Sequence, residues 1–314
     1  MLVPPAFFIL ISFTSIYFNI IFILIKQFPR VDLFKMRELI VVIIISTFFS
    51  CQSNQEKNLP TENLPKGGLF IIGGGSRPSE MIDQLIELSK IKEGYGYVLP
   101  MASADDSAYF YANKQFAEKG IADLKDYTKG GKQLLDSIEN ASLIYMAGGD
   151  QRRLMEVLSD NERNAIRKAY EKGAIIAGTS AGAAVMSKKM ITGDEKKHPE
   201  YHPTFRTIEK DNIIFDEGLG LLPENIIIDQ HFIYRSRYNR LLTAVLELPD
   251  HIGFGIDEST ALFVQNDSAT VIGEWQVVSF QNTDQQSKNQ KGLLGAKNIE
   301  LNIYLPNEKF KLSQ

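Results

Sequence analysis

The chain of 314 residues has a single cysteine, Cys51, and only four histidines. One cysteine cannot form an intramolecular disulfide. Because Cys51 precedes the predicted folded domain, a cysteine nucleophile or a thiolate metal site in that domain is excluded. We expect neither a metal nor another cofactor. The candidates for a general base are limited to His198, His202, His231 and His251.

Basic residues are not in excess: 34 Lys and Arg stand against 38 Asp and Glu, and the formal net charge is −4. Proteins that bind nucleic acid usually carry a basic surface that matches the phosphate backbone. We therefore expect no nucleic-acid partner.

Residues 1–50 do not have the composition of a folded domain. Two apolar runs, Phe7–Ile25 and Leu39–Phe49, flank the charged segment Lys26–Arg37. A short positive segment followed by an apolar run is typical of a targeting signal. We assign residues 1–50 to an apolar targeting region.

The second apolar run resembles a bacterial lipoprotein signal, over residues 36–50. In that interpretation Cys51 is lipidated, residues 51–65 form a polar tether, and the protein is held to a membrane on the periplasmic or cell-surface side of a bacterial envelope. In that case the signal begins at Met36, and residues 1–35 come from a start site assigned too far upstream. The alternative is a transmembrane helix over residues 7–25.

Residues 66–314 alternate short apolar runs with segments of helical period, which predicts an α/β fold with a mostly parallel sheet flanked by helices. The predicted strands are Leu69–Ile72, Gly96–Leu99, Leu143–Met146, Ala174–Ala177, Ile226–Ile228 and Ile252–Ile256. Met81, Leu85 and Leu88 mark one helix that ends near Gly94, and a capping box at Ser159–Glu162 begins another that ends near Gly173. Residues 73–78 fail the dinucleotide motif because Pro78 replaces its last glycine, so we interpret this loop as part of a cleft.

The C-terminal part has a different pattern. Ala261–Val264 and Thr270–Phe280 indicate antiparallel strands that complete the domain. Further on, Ile299, Leu301, Ile303 and Leu305 alternate with polar residues, which indicates a half-buried strand.

The strongest local motif is Gly178-Thr179-Ser180-Ala181-Gly182, which follows a buried strand and precedes a run of small residues. Such an elbow exposes the serine Oγ, and small neighbours avoid clashes. Ser180 is therefore the candidate nucleophile. The paired glycines Gly148-Gly149 follow another strand, so the N–H groups of Gly149 and Ala181 are candidates for an oxyanion hole.

Among the histidines, His231 follows the strand Ile226–Ile228 and lies at a carboxyl edge, where α/β sheets place their active sites. His198 and His202 have the spacing of metal ligands, but the prolines beside them favour a solvated loop. His251 is interpreted as a turn residue. The orienting acid is Asp257 or Glu258, which follow the next strand.

Taken together, these motifs resemble the cyanophycinase and dipeptidase E family of serine peptidases, with the closer match to its cyanophycinase branch. The resemblance covers about residues 66–310. It implies a flavodoxin-like fold, similar to class I glutamine amidotransferases, and a triad of Ser180, His231 and Glu258. The implied reaction is exopeptidase cleavage of cyanophycin, a poly-aspartate with arginine on its side chains, to β-Asp-Arg dipeptides.

The resemblance also implies substrate-binding residues, namely Gln151, Asp229, Gln230, Arg235, Arg237 and Arg240. Arginines are suited to the aspartyl carboxylates, and the acids and amides to guanidinium groups. The chain departs from the family in its lipoprotein signal and in Lys188–Arg206, interpreted as a charged loop. Two alternatives stay open: an aspartyl or isoaspartyl dipeptidase, and a non-catalytic surface-tethered protein that binds polymer or peptide. The oligomeric state is also open, with a homodimer among the options.

Overall fold

The computed structural model describes residues 64–122, 124–200 and 202–312. The targeting region 1–50, the signal at 36–50, Cys51 and the tether up to residue 63 lie outside the described residues. Residues from Leu64 onward form one unit.

The elements of this unit alternate for most of its length between strands and helices. The helices are α1 (Ser79–Ser89), α2 (Ala108–Ala117), α3 (Leu135–Glu139), α4 (Gln151–Val157), α5 (Asp160–Lys172), α6 (Ala181–Ala184) and α7 (Tyr238–Glu247). The strands are β1 (Gly68–Ile72), β2 (Gly96–Leu99), β3 (Leu124–Asp126), β4 (Leu143–Met146), β5 (Ile175–Thr179), β6 (Lys189–Glu195), β7 (Ile213–Glu217), β8 (Ile226–Gln230), β9 (Ile252–Ile256), β10 (Thr260–Gln265), β11 (Ser268–Gly273), β12 (Val277–Asn282), β13 (Lys288–Gln290), β14 (Leu293–Gly295), β15 (Ile299–Tyr304) and β16 (Lys309–Lys311).

The main sheet has the order β16-β11-β10-β1-β5-β4-β2-β3. Strands β1, β5, β4, β2 and β3 are parallel to one another, and β10, β11 and β16 add antiparallel strands on the other side of β1. Every residue of β1 and β5 is buried, because both faces of the sheet are covered: Leu69 and Ile71 join one apolar cluster, Phe70 and Ile72 another. The predicted α/β class with antiparallel C-terminal strands is confirmed.

A second sheet, in the order β15-β12-β9-β8, contains two of the strands that we expected in the parallel sheet. Strands β8 and β9 are parallel, with Asp229 opposite Gly255. The chain bends after Ile256 and crosses to the main sheet as β10. Glycines in β9 let the side chains packed on this strand approach closely. A Cβ at Gly253 would lie 2.6 Å from Leu241 of α7, and a Cβ at Gly255 would lie 2.3 Å from Phe232.

Helix boundaries agree with the capping signals more closely than with the apolar spacing. The capping box at Ser159 and Glu162 is present, and α5 ends at Gly173. Helix α1 ends before the expected Gly94, at Ser89, because Lys90 is left-handed with φ 51°. It buries Met81 and Leu85 with Ile82 and Ile86, whereas Leu88 is 37% exposed.

Three further expectations need correction. The segment Lys188–Arg206 is not a loop throughout, because β6 pairs with β7 and buries Met190 and Ile191. The stretch Thr270–Phe280 is divided into β11 and β12 by a turn. Strand β15 alternates as expected, but its apolar Leu301 and Ile303 are exposed, as is Leu305 just after the strand. Nowhere in residues 64–122, 124–200 and 202–312 is a helix long and apolar enough to span a membrane.

Candidate active site

Ser180 lies in a sharp turn between β5 and α6. Its backbone has φ 52° and ψ −108°, a conformation that is strained for a residue with a side chain. The turn is tight: a Cβ at Gly178 would lie 2.1 Å from the carbonyl oxygen of Gly182, and one at Gly182 would lie 2.3 Å from that of Met146. Both glycines of the motif are therefore required by backbone contact.

His231 and Glu258 complete a chain of hydrogen bonds that begins at Ser180. His231 Nε2 lies 2.9 Å from Ser180 Oγ, and His231 Nδ1 lies 2.5 Å from Glu258 Oε1. His231 follows β8 and is buried, with φ 49°; Glu258 follows β9. The structure brings the three predicted residues together from two different sheets, and it is Glu258 that contacts the imidazole.

The loop after β1 connects these three strand ends. Consecutive carbonyl oxygens of Ile72, Gly73 and Gly74 accept the backbone N–H groups of Ser180 (3.0 Å), His231 (2.7 Å) and Ser259 (3.0 Å) respectively. This loop was predicted to line a cleft. Its part in joining the strand ends could not be predicted, since it depends on pairings between distant segments.

Glycine is needed in this loop because the His–Glu pair packs against it. A Cβ at Gly74, where φ is 113°, would lie 2.3 Å from His231 Cε1 and 2.5 Å from Nε2. A Cβ at Gly75, where φ is 68°, would lie 2.7 Å from Cβ of Glu258. The three successive glycines are the sequence signal of this contact.

The surroundings of His231 favour the neutral imidazole. Burial lowers the pKa of His231, and the positive charges of Arg235 and Arg237 lower this pKa further, whereas the hydrogen bond and charge of Glu258 act in the opposite direction. A neutral imidazole that donates Nδ1–H to Glu258 presents the Nε2 lone pair to the serine hydroxyl.

The predicted oxyanion donors lie beside the serine. A Cβ at Gly148 would come to 3.4 Å from Ser180 Cβ. Gly149 has φ 143°, and a Cβ there would lie 2.1 Å from the carbonyl oxygen of Ala102. Within the described residues, the N–H groups of Gly149 and Ala181 donate to no other residue. Both are therefore available to an anionic oxygen.

Four of the predicted substrate-binding residues are buried in a polar network next to His231. Both carboxylate oxygens of Asp229 accept hydrogen bonds from Arg240, with Nε at 2.9 Å from Oδ2. Arg237 donates from one Nη to the side-chain and backbone oxygens of Gln230, each at 2.7 Å. The side chains of Asp229, Arg237 and Arg240 are at most 5% exposed, so these groups are placed inside the protein and not on the cleft surface.

The other predicted substrate-binding residues differ in accessibility. Gln151 is buried, and its Nε2 donates to the carbonyl oxygens of Ile191 and Thr192 at 2.7 Å each, which ties the start of α4 to β6. Arg235 is partly exposed, and its Nε lies 3.9 Å from Glu258 Oε1. It is the predicted basic residue that reaches the surface beside the triad.

Next to Arg235 is an open cavity of about 650 Å³, lined by Pro203, Thr204, Tyr234, Arg235 and Ser236. Tyr234 is 75% exposed, although its backbone is fixed by a 2.8 Å hydrogen bond to Asp257 Oδ1. Tyr234 is not among the residues predicted from the sequence; its position three residues after His231 was the available signal. Asp257, the other candidate acid, binds the loop and not the imidazole.

The remaining histidines lie apart from the triad. His198 Nε2 is 3.2 Å from Glu209, and His202 Nδ1 is 3.4 Å from Arg206, both in the exposed segment after β6. His251 is buried at the start of β9 and lies 2.7 Å from Asp250. Among the described residues, no group of three or more His, Cys, Asp or Glu side chains is placed to hold a metal ion.

An α/β fold in which a strained serine contacts a histidine–carboxylate pair is that of a serine hydrolase. A model of peptidase family S51 matches residues 69–272. Cyanophycinase of Trichormus variabilis is 32% identical over 272 residues, which cover 81% of this chain and 88% of that protein. Peptidase E of Actinobacillus pleuropneumoniae serotype 5b is 30% identical over 159 residues, or 48% of this chain and 62% of that protein.

The fold is also found in a peptidase from an acI-B1 Actinobacterium, whose crystal structure superposes with a TM-score of 0.54 at 22% identity and covers 76% of this chain and 97% of that one. The chain belongs to peptidase family S51, and it is a serine peptidase.

Proposed function

We propose that this peptidase cleaves aspartyl peptide bonds with Ser180 as nucleophile, His231 as general base and Glu258 as the orienting acid. The observation that carries the proposal is the continuous chain of hydrogen bonds, 2.9 Å from Oγ to Nε2 and 2.5 Å from Nδ1 to the carboxylate. In a member of family S51, these three hydrogen-bonded residues supply each group that acyl transfer to serine requires.

In the proposed reaction, Ser180 Oγ attacks the peptide carbonyl carbon while His231 Nε2 takes the hydroxyl proton. The carbonyl oxygen becomes an oxyanion that accepts hydrogen bonds from the N–H groups of Gly149 and Ala181. The C–N bond then breaks, His231 protonates the leaving amine, and an ester to Ser180 remains. Water attacks this ester, its proton passes to His231, and the serine hydroxyl is restored.

The proposed substrate is cyanophycin, and the proposed products are β-Asp-Arg dipeptides. The alternative substrates are short aspartyl or isoaspartyl dipeptides. The similarity to proteins named cyanophycinase supports the polymer, and the similarity to proteins named peptidase E supports the dipeptide. Arg235 is the residue that we propose to pair with an aspartyl carboxylate, because its guanidinium is partly exposed beside the triad.

The buried residues take a different part in the proposal. Asp229, Gln230, Arg237 and Arg240 hold the end of β8 and so position His231, since their polar atoms already bind one another. Gln151 positions the start of α4, which directly follows Gly148, Gly149 and Asp150. A direct contact of these side chains with substrate would require the network to open.

The test uses the full chain, purified in detergent, with intact cyanophycin and a panel of Asp-X dipeptides as substrates. Hydrolysis and fluorophosphonate labelling should both be lost in Ser180→Ala, while the circular dichroism spectrum stays that of the wild type. A Ser268→Ala protein serves as the control, because Ser268 lies in the β10–β11 hairpin beside the start of β1, at the opposite end of the sheet from Ser180. Release of β-Asp-Arg from polymer supports a cyanophycinase, and cleavage of dipeptides alone supports the dipeptidase. Binding without labelling or cleavage would indicate the non-catalytic binding protein and overturn the proposal.

We further propose that Cys51 is lipidated and tethers the enzyme to a membrane facing the periplasm or the cell surface. The support is the sequence before Cys51, a basic segment followed by an apolar run. Metabolic labelling with a palmitate analogue should mark the wild-type chain and not Cys51→Ser. Equal labelling of both proteins would refute the assignment.

A further inference from the structure

The loop that carries Glu258 also fixes two exposed aromatic residues. Asp257 Oδ1 accepts the backbone N–H of Tyr234 at 2.8 Å, and Thr260 Oγ1 accepts that of Trp275 at 2.9 Å. Tyr234 is 75% exposed and Trp275 52%. An aromatic ring that stays in solvent on a fixed backbone adds little to the stability of the fold and offers a preorganised flat face to a ligand.

The strand pairings place Trp275 at the same edge of the sheets as Glu258. Strand β11 ends opposite the first residue of β10, and β12 begins opposite the last residue of β9. The turn between β11 and β12, residues 274–276 and here called the tryptophan turn, therefore runs alongside residues 257–259. The carbonyl oxygen of Ser259 accepts the backbone N–H of Glu274 at 3.0 Å, which holds the two segments together.

The tryptophan turn lies at a distance from the nucleophile that suits a longer substrate. In the order β5-β1-β10-β11, three strand spacings separate the strand that ends before Ser180 from the strand that ends before the turn. Neighbouring strands are about 4.8 Å apart, so the lateral distance is about 14 Å, or about four residues of extended chain. A subsite there meets neighbouring units of a polymer and not the scissile bond itself.

The residues beside the two rings carry opposite charges. Arg235 follows Tyr234, whereas Glu274, which is exposed, precedes Trp275. Tryptophan is the aromatic side chain that best attracts a cation to its face, and a carboxylate adds a charge-assisted hydrogen bond to a guanidinium. A guanidinium beside Tyr234 would instead meet the like charge of Arg235. The tryptophan turn is therefore the position that suits an arginine side chain.

We infer that the tryptophan turn is a subsite for the guanidinium group of a substrate arginine, with the indole of Trp275 on its plane and Glu274 as its counter-charge. The inference rests on the proposed cleavage of a β-Asp-Arg polymer, and it adds the place where a neighbouring arginine binds. Arg235 then holds a carboxylate near the triad while the tryptophan turn holds a guanidinium farther along. The two sites have the two charges that such a polymer presents.

The subsite has a direct probe, because Trp275 is the only tryptophan of the chain. The full chain with Ser180→Ala, purified in detergent, is titrated with a trimer of β-Asp-Arg units. The tryptophan emission should change and saturate. Tri-aspartate, which lacks the guanidinium, should leave the emission unchanged. Adding Glu274→Gln should raise the Kd of the trimer about two- to five-fold.

The matched control for Glu274→Gln is Glu171→Gln, added to the same Ser180→Ala protein. Glu171 is also exposed, but it lies at the end of α5, just before β5 begins and so at the opposite end of this strand from Ser180. Its removal should leave the Kd of the trimer unchanged. The control separates loss of the local counter-charge from the general effect of one acidic residue fewer.

A kinetic test uses the active enzyme. Trp275→Leu should raise the KM for the trimer about two- to five-fold with little change in kcat, whereas Trp275→Phe, which keeps an aromatic face, should have a smaller effect. Fluorophosphonate labelling needs no guanidinium and checks that the triad is intact in each variant. If circular dichroism shows that Trp275→Leu is misfolded, the Glu274→Gln titration decides.

An unchanged KM in a folded Trp275→Leu protein, or equal emission changes with tri-aspartate and the trimer, would overturn the subsite. Cleavage of the trimer by the wild type in that case would leave the proposed function in place. A trimer that changes the emission of Trp275 but is not cleaved by the wild type would support the subsite and refute the cyanophycinase function. A trimer that does neither would overturn both.

Discussion

Gly74→Ala should remove most of the activity while leaving the fold intact. The new methyl carbon would lie 2.3 Å from His231 Cε1, whereas carbon atoms in contact stay about 3.5 Å apart, so the ring must retreat by about 1 Å. The ring is held at 2.9 Å by Ser180 and at 2.5 Å by Glu258. A retreat of this size lengthens the Nε2–Oγ distance beyond the limit of a hydrogen bond.

The expected loss in kcat/KM is about 10²- to 10⁴-fold, between the effect of a 1 Å misplacement and that of a disabled triad. The assay is hydrolysis of the best substrate by the full chain, together with the rate of fluorophosphonate labelling, which reports Ser180 directly. Both rates should fall together, because the alanine acts on the base and not on substrate binding.

The control for this prediction is Gly120→Ala. Gly120 also has positive φ, 79°, but a Cβ there would have no atom within 4 Å. Both alanines should lower the free energy of unfolding by about 1–2 kcal/mol through their backbone conformation, measured by urea denaturation. Gly120→Ala should keep full activity. If Gly74→Ala were as active as Gly120→Ala, the proposed contact between the glycine loop and the imidazole would be refuted.

The remaining predictions concern the acid, the pH dependence and the buried ion pair. Glu258→Gln should lower kcat/KM by about 10²- to 10⁴-fold. Asp257→Asn keeps an oxygen that can accept the backbone N–H of Tyr234, so its kcat/KM should stay near that of the wild type. The reverse result would assign the orienting acid to Asp257. Because burial lowers the pKa of His231, the base stays neutral to lower pH, and the acid limb of kcat/KM should have its midpoint below the ordinary value of 6.5. Arg235→Gln removes a charge that lowers this pKa, so the midpoint should rise; an unchanged limb would contradict the assignment. Asp229→Ala leaves a buried guanidinium without its counter-charge and should lower the free energy of unfolding by about 3–5 kcal/mol in urea titrations, whereas a change in KM with unaltered stability would indicate a substrate contact instead.

The nucleophile elbow could be predicted from sequence because its determinants are local. A Cβ at Gly178 would meet the carbonyl oxygen of Gly182 within one strand-to-helix turn, and the motif specifies both glycines directly. The choice between Asp257 and Glu258 could not be made from their chemistry. Adjacent residues after a strand point in different directions, and only the fold decides which one meets the imidazole.

The buried network of Asp229, Gln230, Arg237 and Arg240 could not be predicted from the sequence for a related reason. Arg237 and Arg240 lie at the start of α7, in a segment whose sequence is also typical of a solvated helix face. Their burial depends on Asp229 and Gln230 at the end of β8, which lie next to them only after folding. For β15, the alternation identified two faces correctly, but which face is covered depends on how far α7 extends across the sheet.

The geometry of the triad depends on one short loop because its members come from two sheets. Ser180 ends a strand of the main sheet, whereas His231 and Glu258 follow strands of the second sheet. Ser180, His231 and Ser259, the residue after Glu258, all have φ near 50°, a conformation that is unfavourable for residues with side chains. Such strain persists only where neighbouring structure imposes it. Here the constraint is the row of carbonyl oxygens of Ile72, Gly73 and Gly74 at the end of β1, each of which accepts the backbone N–H of one of the strained residues. The same loop must carry glycine, because any side chain at its centre would occupy the space of the imidazole that it holds in place.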